Sequence, residues 1–252
     1  MNRSLTTLFL SRLNITLHRL KVVDSTNTYL KSVASNLPSS TNLEGIAATA
    51  EMQTSGRGRM GRTWYSPTGE GLYLSLLLKP RLEIERLPLL ALTCAIAVYE
   101  TLHRYLEQGI DIKWPNDLLV HNRKVCGILC EAAFERSELL YAIAGIGVNL
   151  NQKEFPEELN SATSLRIAVG YEIDKEDFLH ELLNQIDRWY AVLESNSDEI
   201  RQAWTNRSSY AYGKKLLLPD GCSGTTRGLT ASGSLLIELE DGTSRTLRDA
   251  DL

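Results

Sequence analysis

The sequence predicts an α+β body, in which a mixed sheet is flanked by helices, followed by a small β-barrel. Two observations predict this fold class. Before residue 206, compact apolar segments of strand length are interspersed with longer segments of helical periodicity. After Tyr212, short strand-like segments alternate with turns, which is typical of a small barrel. We therefore predict one domain over residues 1–207 and a second over residues 208–252.

The individual elements follow from periodicity, capping residues and turn residues. Predicted helices span residues 25–34, 88–107, 175–193 and 197–205, and Gly109 is predicted to cap the second. Predicted strands of the body span residues 45–53, 72–79, 110–114, 117–120, 125–132 and 139–148, with a hairpin turn at 121–124. The barrel strands are predicted within residues 214–219, 225–230, 235–240 and 245–249.

The composition indicates a globular protein of the cytoplasm. The chain has 252 residues, of which 43% are hydrophobic and 23% charged, so a sizeable core can be buried. No apolar run approaches the roughly 18 residues of a membrane span. Basic residues interrupt the apolar N-terminal stretch, so no export signal is predicted. The four cysteines form no C-x-x-C pair, which favours free thiols in a reducing compartment.

The charge distribution favours a small anionic ligand over nucleic acid. The formal net charge is −4, yet basic residues are concentrated in SGRGRMGR, residues 55–62. Glycines let the backbone approach a ligand closely, and Arg57, Arg59 and Arg62 offer forked donors that match phosphate oxygens. This segment, here called the Gly/Arg loop, is predicted to fold over a nucleotide triphosphate. An exposed, solvated basic loop is the alternative.

The segment KWPND, residues 113–117, lies between two apolar strands. Pro115 lacks a backbone donor, so the chain bends there and Lys113 ends a strand in a defined place. A lysine held in this way can meet negative charge that develops on a carboxylate or a phosphate. The alternative is a surface turn with a solvated lysine.

Three further segments each have a structural and a functional interpretation. Residues 24–27, DSTN, are typical of a helix N-cap, and the same free amides and hydroxyls suit a small polar ligand. In GIGVNLN, residues 145–151, the glycines allow either close strand packing or the approach of a flat base, whose edge Asn149 would match. Trp64 is suited either to the core or to stacking on a purine.

The order of these motifs resembles the catalytic domain of biotin protein ligases. Along the chain they run D-S-T-N, E-M-Q-T-S-G-R-G-R-M-G-R-T-W-Y-S-P, G-L-Y-L-S, K-W-P-N-D, R-K-V-C-G-I-L-C-E and G-I-G-V-N-L-N. Strong motifs run from about Val22 to Asn151, and a looser similarity continues to the terminal barrel. The resemblance implies a mixed catalytic domain related to class II aminoacyl-tRNA synthetases and lipoate ligases, followed by an SH3-like barrel.

The resemblance also implies a reaction and a set of site residues. Biotin, ATP and magnesium would give biotinyl-5′-adenylate and pyrophosphate, and a lysine of a biotin carboxyl carrier protein, a subunit of acetyl-CoA carboxylase, would then attack the adenylate. Biotin would be bound by Ser25, Thr26, Asn27, Gln53, Arg57, Gly58, Arg59 and Lys113. ATP and the adenylate would be bound by Arg59, Arg62, Trp64, Lys124 and Asn149. Lys113 and Arg57 would be catalytic, and the resemblance assigns no metal ligand.

Two departures from the family pattern and three alternative functions accompany this interpretation. About 20 residues precede DSTN, too few for the winged helix-turn-helix that many members carry, so a short form without DNA binding is expected. The chain ends at Leu252 without a basic tail, which leaves a barrel contribution to ATP binding open. The alternatives are a lipoate or octanoate enzyme, a sensor of biotinyl nucleotide and a ligase that adenylates an amino acid. Monomer and homodimer both stay open.

Overall fold

Twelve strands and five α-helices form the described residues, 3–38 and 40–248, of this computed structural model. The strands are β1 (Arg3–Phe9), β2 (Asn14–Val23), β3 (Ile46–Gln53), β4 (Gly71–Leu78), β5 (Ile110–Lys113), β6 (Asp117–Val120), β7 (Arg123–Glu135), β8 (Glu138–Asn149), β9 (Tyr212–Leu217), β10 (Ser223–Leu229), β11 (Leu235–Leu239) and β12 (Ser244–Leu247). The helices are α1 (Thr26–Asn36), α2 (Leu89–His103), α3 (Leu165–Val169), α4 (Lys175–Ser195) and α5 (Ser197–Thr205).

The strands form two separate sheets. The larger, eight-stranded sheet has the order β1-β2-β3-β4-β8-β7-β6-β5, and the smaller has the order β12-β11-β10-β9. Only the β2–β3 pair is parallel among the described strand pairs. The predicted fold class, a mixed sheet with flanking helices and a small C-terminal β-structure, is thereby confirmed.

Helices cover both faces of the large sheet, because its central strand β4 is buried on both faces. Every residue of β4 is buried, with Leu76 and Leu78 joining a large core under α2 and α4. The intervening Leu77 joins a smaller core with Leu30 of α1 on the other face. The sheet is therefore an inner layer that positions the start of α1 and the ends of its central strands. No helix in the described part of the chain has the length and apolar character needed to cross a membrane.

The small C-terminal sheet packs directly on the body. The indole Nε1 of Trp114 donates to the carbonyl of Gly233 at 3.0 Å. A Cβ at Gly233 would lie 2.9 Å from a methyl of Leu89 in α2, so the two surfaces touch closely. Apolar residues of β11 and β12 belong to the same core cluster as α2. The division at residue 207 stays a proposal, and the part of the second domain at 249–252 lies outside the described residues.

The N-terminal hairpin of β1 and β2 has no counterpart among the predicted strands. In β2, Ile15 and Leu17 are fully buried, which is the alternation of a half-buried strand. The turn between the strands is held by Asp187 of α4, whose carboxylate accepts from the amides of Arg12 and Leu13 at 3.0 and 2.6 Å. This carboxylate is distant in sequence, so the sequence alone did not indicate the hairpin.

Gly109 does not cap α2, so that prediction is wrong. The helix ends at His103, and Arg104 is its C-cap in a right-handed conformation. Gly109 has φ of +85° and instead approaches His121, whose backbone amide donates to the Gly109 carbonyl at 2.8 Å. The predicted hairpin turn is present, with positive φ at His121 and Asn122, and β7 begins at Arg123.

Candidate active site

One cavity of about 500 Å³ opens where α1, the Gly/Arg loop and the centre of the large sheet meet. Every residue assigned to a ligand from the sequence lines it: Ser25, Thr26, Asn27, Gln53, Arg57, Gly58, Arg59, Arg62, Trp64, Lys113, Lys124 and Asn149. The structure therefore brings the separate motifs together, although they span more than a hundred residues of sequence.

The floor of the cavity is a network of buried polar groups at the start of α1. The Thr26 amide donates to Gln53 Oε1 at 2.8 Å, so a side chain from β3 binds the first turn of the helix. Ser75 Oγ lies 2.7 Å from Thr26 Oγ1 and 2.6 Å from Asn27 Oδ1. Ser25 itself is buried and makes no side-chain cap bond. These contacts fix the orientation of the amide and hydroxyl groups that face the cavity.

Glu131 on β7 joins this floor to the Gly/Arg loop, and the sequence analysis did not assign it a role. Its carboxylate accepts from Asn27 Nδ2 at 2.8 Å and from Lys31 Nζ at 2.6 Å. Arg57 Nη1 lies 3.1 Å from Glu131 Oε1. Burial opposes ionisation of this carboxyl, but the bonds from Lys31 and Asn27 outweigh it, so the Glu131 pKa lies below its ordinary value.

The Gly/Arg loop is a narrow hairpin. The Trp64 amide donates to Gly56 O at 2.9 Å, and the Gly58 amide donates to Arg62 O at 2.7 Å. A Cβ at Gly56 would lie 2.5 Å from Trp64 O, so only glycine permits this approach. At the tip, Met60 has φ of +52° and is largely exposed. The loop therefore has a defined shape with its arginines at the rim of the cavity.

Side chains hold both arms of this hairpin against the body. On one arm, Gln53 Nε2 donates to Ser66 Oγ at 3.0 Å, and Ser66 Oγ donates to Trp64 O at 3.1 Å. On the other arm, Arg59 Nη1 donates to Asn116 Oδ1 at 3.1 Å. The loop thus lies over the cavity in this structure.

Lys113 ends β5 at the bend predicted from Pro115, and the Trp114–Pro115 peptide is cis. Asn116 fixes the bend, because its Nδ2 donates to Ile128 O at 2.6 Å and its carbonyl accepts from the Ile128 amide at 2.9 Å. The Lys113 side chain is exposed towards the cavity. The bend therefore fixes the backbone from which the Lys113 side chain reaches the cavity that the Gly/Arg loop also lines.

Trp64 lies on a flat patch of the sheet. Gly127 and Gly147 are cross-strand partners on β7 and β8, and a Cβ at Gly147 would lie 2.5 Å from the Trp64 indole. Lys124 Nζ sits 5.4 Å from the centre of the same ring and forms an ion pair with Asp117 at 2.6 Å. The buried indole Nε1 has no hydrogen-bond partner among the described residues. These glycines therefore make the space for an aromatic platform.

Asn149 is buried and its amide already has protein partners. Its Nδ2 donates to Thr163 O at 3.0 Å, and its Oδ1 accepts from Gln152 Nε2 at 3.3 Å. One N–H of the amide and a lone pair are left for a ligand. Its predicted pairing with adenine therefore stays a proposal, and the two bonds would set the angle of the amide.

Several groups that line the cavity or contact its lining residues were not predicted. Ser66, Ser75 and Glu131 belong to no assigned set, although Glu131 ends the quoted RKVCGILCE motif. The cavity lining also includes residues from the loop before α3 and from the C-terminal part of the chain: Phe155, Leu159, Ser161, Ala162, Tyr210, Leu216, Leu217 and Leu235. Their apolar or small side chains carry no sequence signal that separates a cavity wall from ordinary packing.

Carboxylates in the cavity are few. Across residues 3–38 and 40–248, no group of three or more His, Cys, Asp or Glu side chains is placed to hold a metal ion. Asp117 is the carboxylate that lines the cavity, and it is ion-paired with Lys124. One carboxylate together with substrate phosphates is a common donor set for Mg²⁺.

A mixed sheet whose centre carries a polar floor, a basic loop and a lysine is the arrangement that the sequence motifs predict, and similarity to known proteins identifies the family. The model of the Biotin/lipoate A/B protein ligase family matches residues 20–149, so the chain belongs to that family. It is 30% identical over 224 residues to the biotin–(acetyl-CoA-carboxylase) ligase of Paracoccus denitrificans, covering 85% of this chain and 90% of that protein.

Other relatives extend this picture. The chain is 36% identical over 208 residues to the bifunctional ligase/repressor BirA of Bacillus subtilis, covering 79% of this chain and 63% of that protein. It therefore spans less than two thirds of that relative. Among solved structures, the biotin protein ligase of Aquifex aeolicus in complex with biotin and ATP superposes with a TM-score of 0.77 at 33% identity, covering 93% of this chain and 96% of that one.

Proposed function

We propose that this protein activates biotin with ATP and transfers the biotinyl group to a lysine of a biotin carboxyl carrier protein. The observation that carries the proposal is one cavity that is lined by a buried polar floor, by the basic Gly/Arg hairpin and by Lys113. The similarity to the Paracoccus and Aquifex ligases supports the same activity. The carrier is proposed to be a subunit or domain of acetyl-CoA carboxylase.

The floor suits the polar head of biotin. Thr26 and Asn27 present hydroxyl and amide groups whose orientations are fixed by Gln53, Ser75 and Glu131. Fixed donors and acceptors lose little entropy when a ligand binds, so they discriminate well between polar shapes. We place the biotin head here and its carboxylate towards Lys113 and Arg57.

In the first step, a biotin carboxylate oxygen attacks the α-phosphorus of ATP, and the bond to the bridging oxygen breaks to release pyrophosphate. Negative charge builds on the phosphoryl oxygens, and the fixed cations of Lys113 and Arg57 stabilise it. Trp64 would stack on adenine, while Arg62 and Lys124 would face the phosphates. Mg²⁺, brought by ATP and held with help from Asp117, would neutralise phosphate charge.

In the second step, the neutral amine of the carrier lysine attacks the acyl carbon of the adenylate, and AMP leaves. An amide forms and the amine proton is lost to solvent, so no covalent enzyme intermediate is needed. Closure of the Gly/Arg loop keeps water from the mixed anhydride between the two steps.

A cytoplasmic location, the absence of nucleic-acid binding and a monomeric or dimeric state stay predictions.

The test follows ATP labelled in its α-phosphate and biotin labelled in its ring, with and without a carrier domain that bears an acceptor lysine. Without the carrier we expect biotinyl adenylate that contains both labels. With the carrier we expect the biotin label on the carrier and the phosphate label in released AMP. Adenylate formation from lipoate, octanoate or an amino acid in place of biotin would assign the activity to one of those alternatives. Tight biotin binding without adenylate would identify a sensor.

A further inference from the structure

Glu131 is the one acidic side chain that touches both the floor of the cavity and the Gly/Arg loop in the described residues. It lies on β7, and its side chain is only 18% exposed. Two cations approach it, Lys31 at 2.6 Å and Arg57 at 3.1 Å. Asn27 Nδ2 donates to the other carboxylate oxygen at 2.8 Å. The carboxylate therefore contacts one lining residue of the floor, Asn27, and one of the Gly/Arg loop, Arg57.

We propose that Glu131 is a positioning residue for adenylate formation, which holds Arg57 in place for the reacting groups and fixes the amide of Asn27. The inference rests on the proposed function and deepens it. Glu131 itself does not line the cavity, so it acts through these two neighbours rather than on the substrate.

A network of hydrogen bonds explains why this position matters. From Glu131 it runs through Asn27 to Ser75, which also binds Thr26. Thr26 in turn binds Gln53, whose Nε2 reaches the far arm of the hairpin. Glu131 thus fixes the first arm of the Gly/Arg loop and Gln53 fixes the second. Both arms are tied to one network, so loss of either contact loosens the loop.

Charge explains why the residue is a carboxylate. An unopposed Arg57 would be free to turn towards solvent, because its side chain is 44% exposed. A glutamine at 131 keeps the size of the side chain but loses the charge that attracts arginine. One end of the glutamine amide is an N–H donor, so this side chain cannot accept hydrogen bonds from Arg57, Lys31 and Asn27 together.

The experiment combines kinetics with a double-mutant cycle. For Glu131→Gln we expect kcat for biotin-dependent pyrophosphate release to fall about tenfold to a hundredfold, as for a displaced catalytic group. In an Arg57→Gln background, the rate of pyrophosphate release is measured in single turnovers. There, Glu131→Gln is expected to lower this rate by less than about twofold. Equal losses in both backgrounds, or wild-type kcat for Glu131→Gln, would overturn the proposal.

Lys31→Gln is the matched control. It also removes one ion pair from Glu131 but has no place in the cavity lining, so we expect kcat within about twofold of wild type. A loss equal to that of Glu131→Gln would show that the carboxylate acts only as part of a structural ion cluster. Thermal unfolding of each variant verifies that it is folded.

A second readout does not depend on activity. Trypsin cleaves after exposed arginines, so the rate of cleavage within the Gly/Arg loop reports how firmly the loop is held. We expect faster cleavage at Arg59 and Arg62 in Glu131→Gln than in wild type or Lys31→Gln, and equal rates would contradict the role. A wild-type protein that forms no biotinyl adenylate would instead refute the proposed function, while the cleavage rates still report on the contact itself.

Discussion

Lys113 is the residue on which the proposed chemistry depends most directly. It stands at the end of β5, beside a bend that Asn116 fixes to β7. For Lys113→Ala we expect adenylate formation to fall about a hundredfold to a thousandfold, the usual cost of removing one charge-stabilising donor. Pyrophosphate release with biotin and ATP measures it. Release at the wild-type rate would remove Lys113 from the mechanism.

Two glycines on β8 allow the two halves of the cavity to be tested separately. A Cβ at Gly145 would lie 2.2 Å from Asn27 Oδ1, and one at Gly147 would lie 2.5 Å from the Trp64 ring. We expect Gly145→Ala to raise KM for biotin and Gly147→Ala to raise KM for ATP. About tenfold is expected, which corresponds to about 1.4 kcal/mol of lost contact.

The two glycine variants serve as controls for one another, since they share a strand and differ only in the neighbour that the new methyl group meets. Each variant is expected to leave the KM of the other substrate within about twofold of wild type. If both variants raised both KM values equally, the assignment of biotin to the Asn27 side and of adenine to the Trp64 side would be wrong.

At the scale of elements, the Gly/Arg hairpin is expected to retain the reactive intermediate. Arg59 donates to Asn116 Oδ1 at 3.1 Å, which ties the hairpin to the bend after β5. We expect Arg59→Gly to release biotinyl adenylate before transfer, because the glycine cannot make this contact. Rapid filtration of enzyme loaded with labelled adenylate measures the release.

Asn116→Ala is a second test of the same element, because it removes the partner of Arg59 and leaves the loop sequence intact. It also removes a bond to Ile128 O, so its stability should be measured in parallel. We expect adenylate release intermediate between wild type and Arg59→Gly. Retention equal to wild type in both variants would mean that other contacts close the loop.

The sequence predicted most elements of the large sheet because their apolar periodicity is local. The residues that it assigned to ligands, from several short motifs whose order resembles one family, all line one cavity, and their roles stay predictions. It did not predict the part played by Glu131, because nothing in a strand sequence tells that Asn27, Lys31 and Arg57 converge on one carboxylate. The prediction that Gly109 caps α2 was wrong for the same reason, because the Gly109 carbonyl binds the distant amide of His121 rather than the preceding helix.

On the scale of the whole molecule, the C-terminal sheet belongs to the wall of the cavity. Leu216, Leu217 and Leu235 line it, and Trp114, next to Lys113, donates its indole N–H to Gly233. Lys113 is therefore adjacent in sequence to a polar contact between the two sheets. The sequence leaves open whether the C-terminal sheet contributes to ATP binding. The position of these leucines in the cavity lining is where such a contribution would act.

Trp114→Phe tests how strongly the two parts are coupled. Phenylalanine keeps an aromatic ring but leaves the buried Gly233 carbonyl without its donor, so we expect a loss of about 1–3 kcal/mol in the free energy of unfolding. Urea denaturation followed by tryptophan fluorescence and by circular dichroism measures it. Coincident transitions would indicate one cooperative unit, and an early separate transition would indicate that the C-terminal sheet unfolds alone.

The Asp187 contact has a consequence for how the chain is made. The amides of Ser11 and Arg12 leave the ribosome long before the carboxylate that binds them, which follows 176 and 175 residues later. At ordinary rates of synthesis that interval is roughly 10–35 s. During it, the turn between β1 and β2 has no anchor, and Ile15 and Leu17, which are buried in the folded protein, stay accessible to nascent-chain chaperones. This hairpin therefore has to wait for α4 before its turn is held.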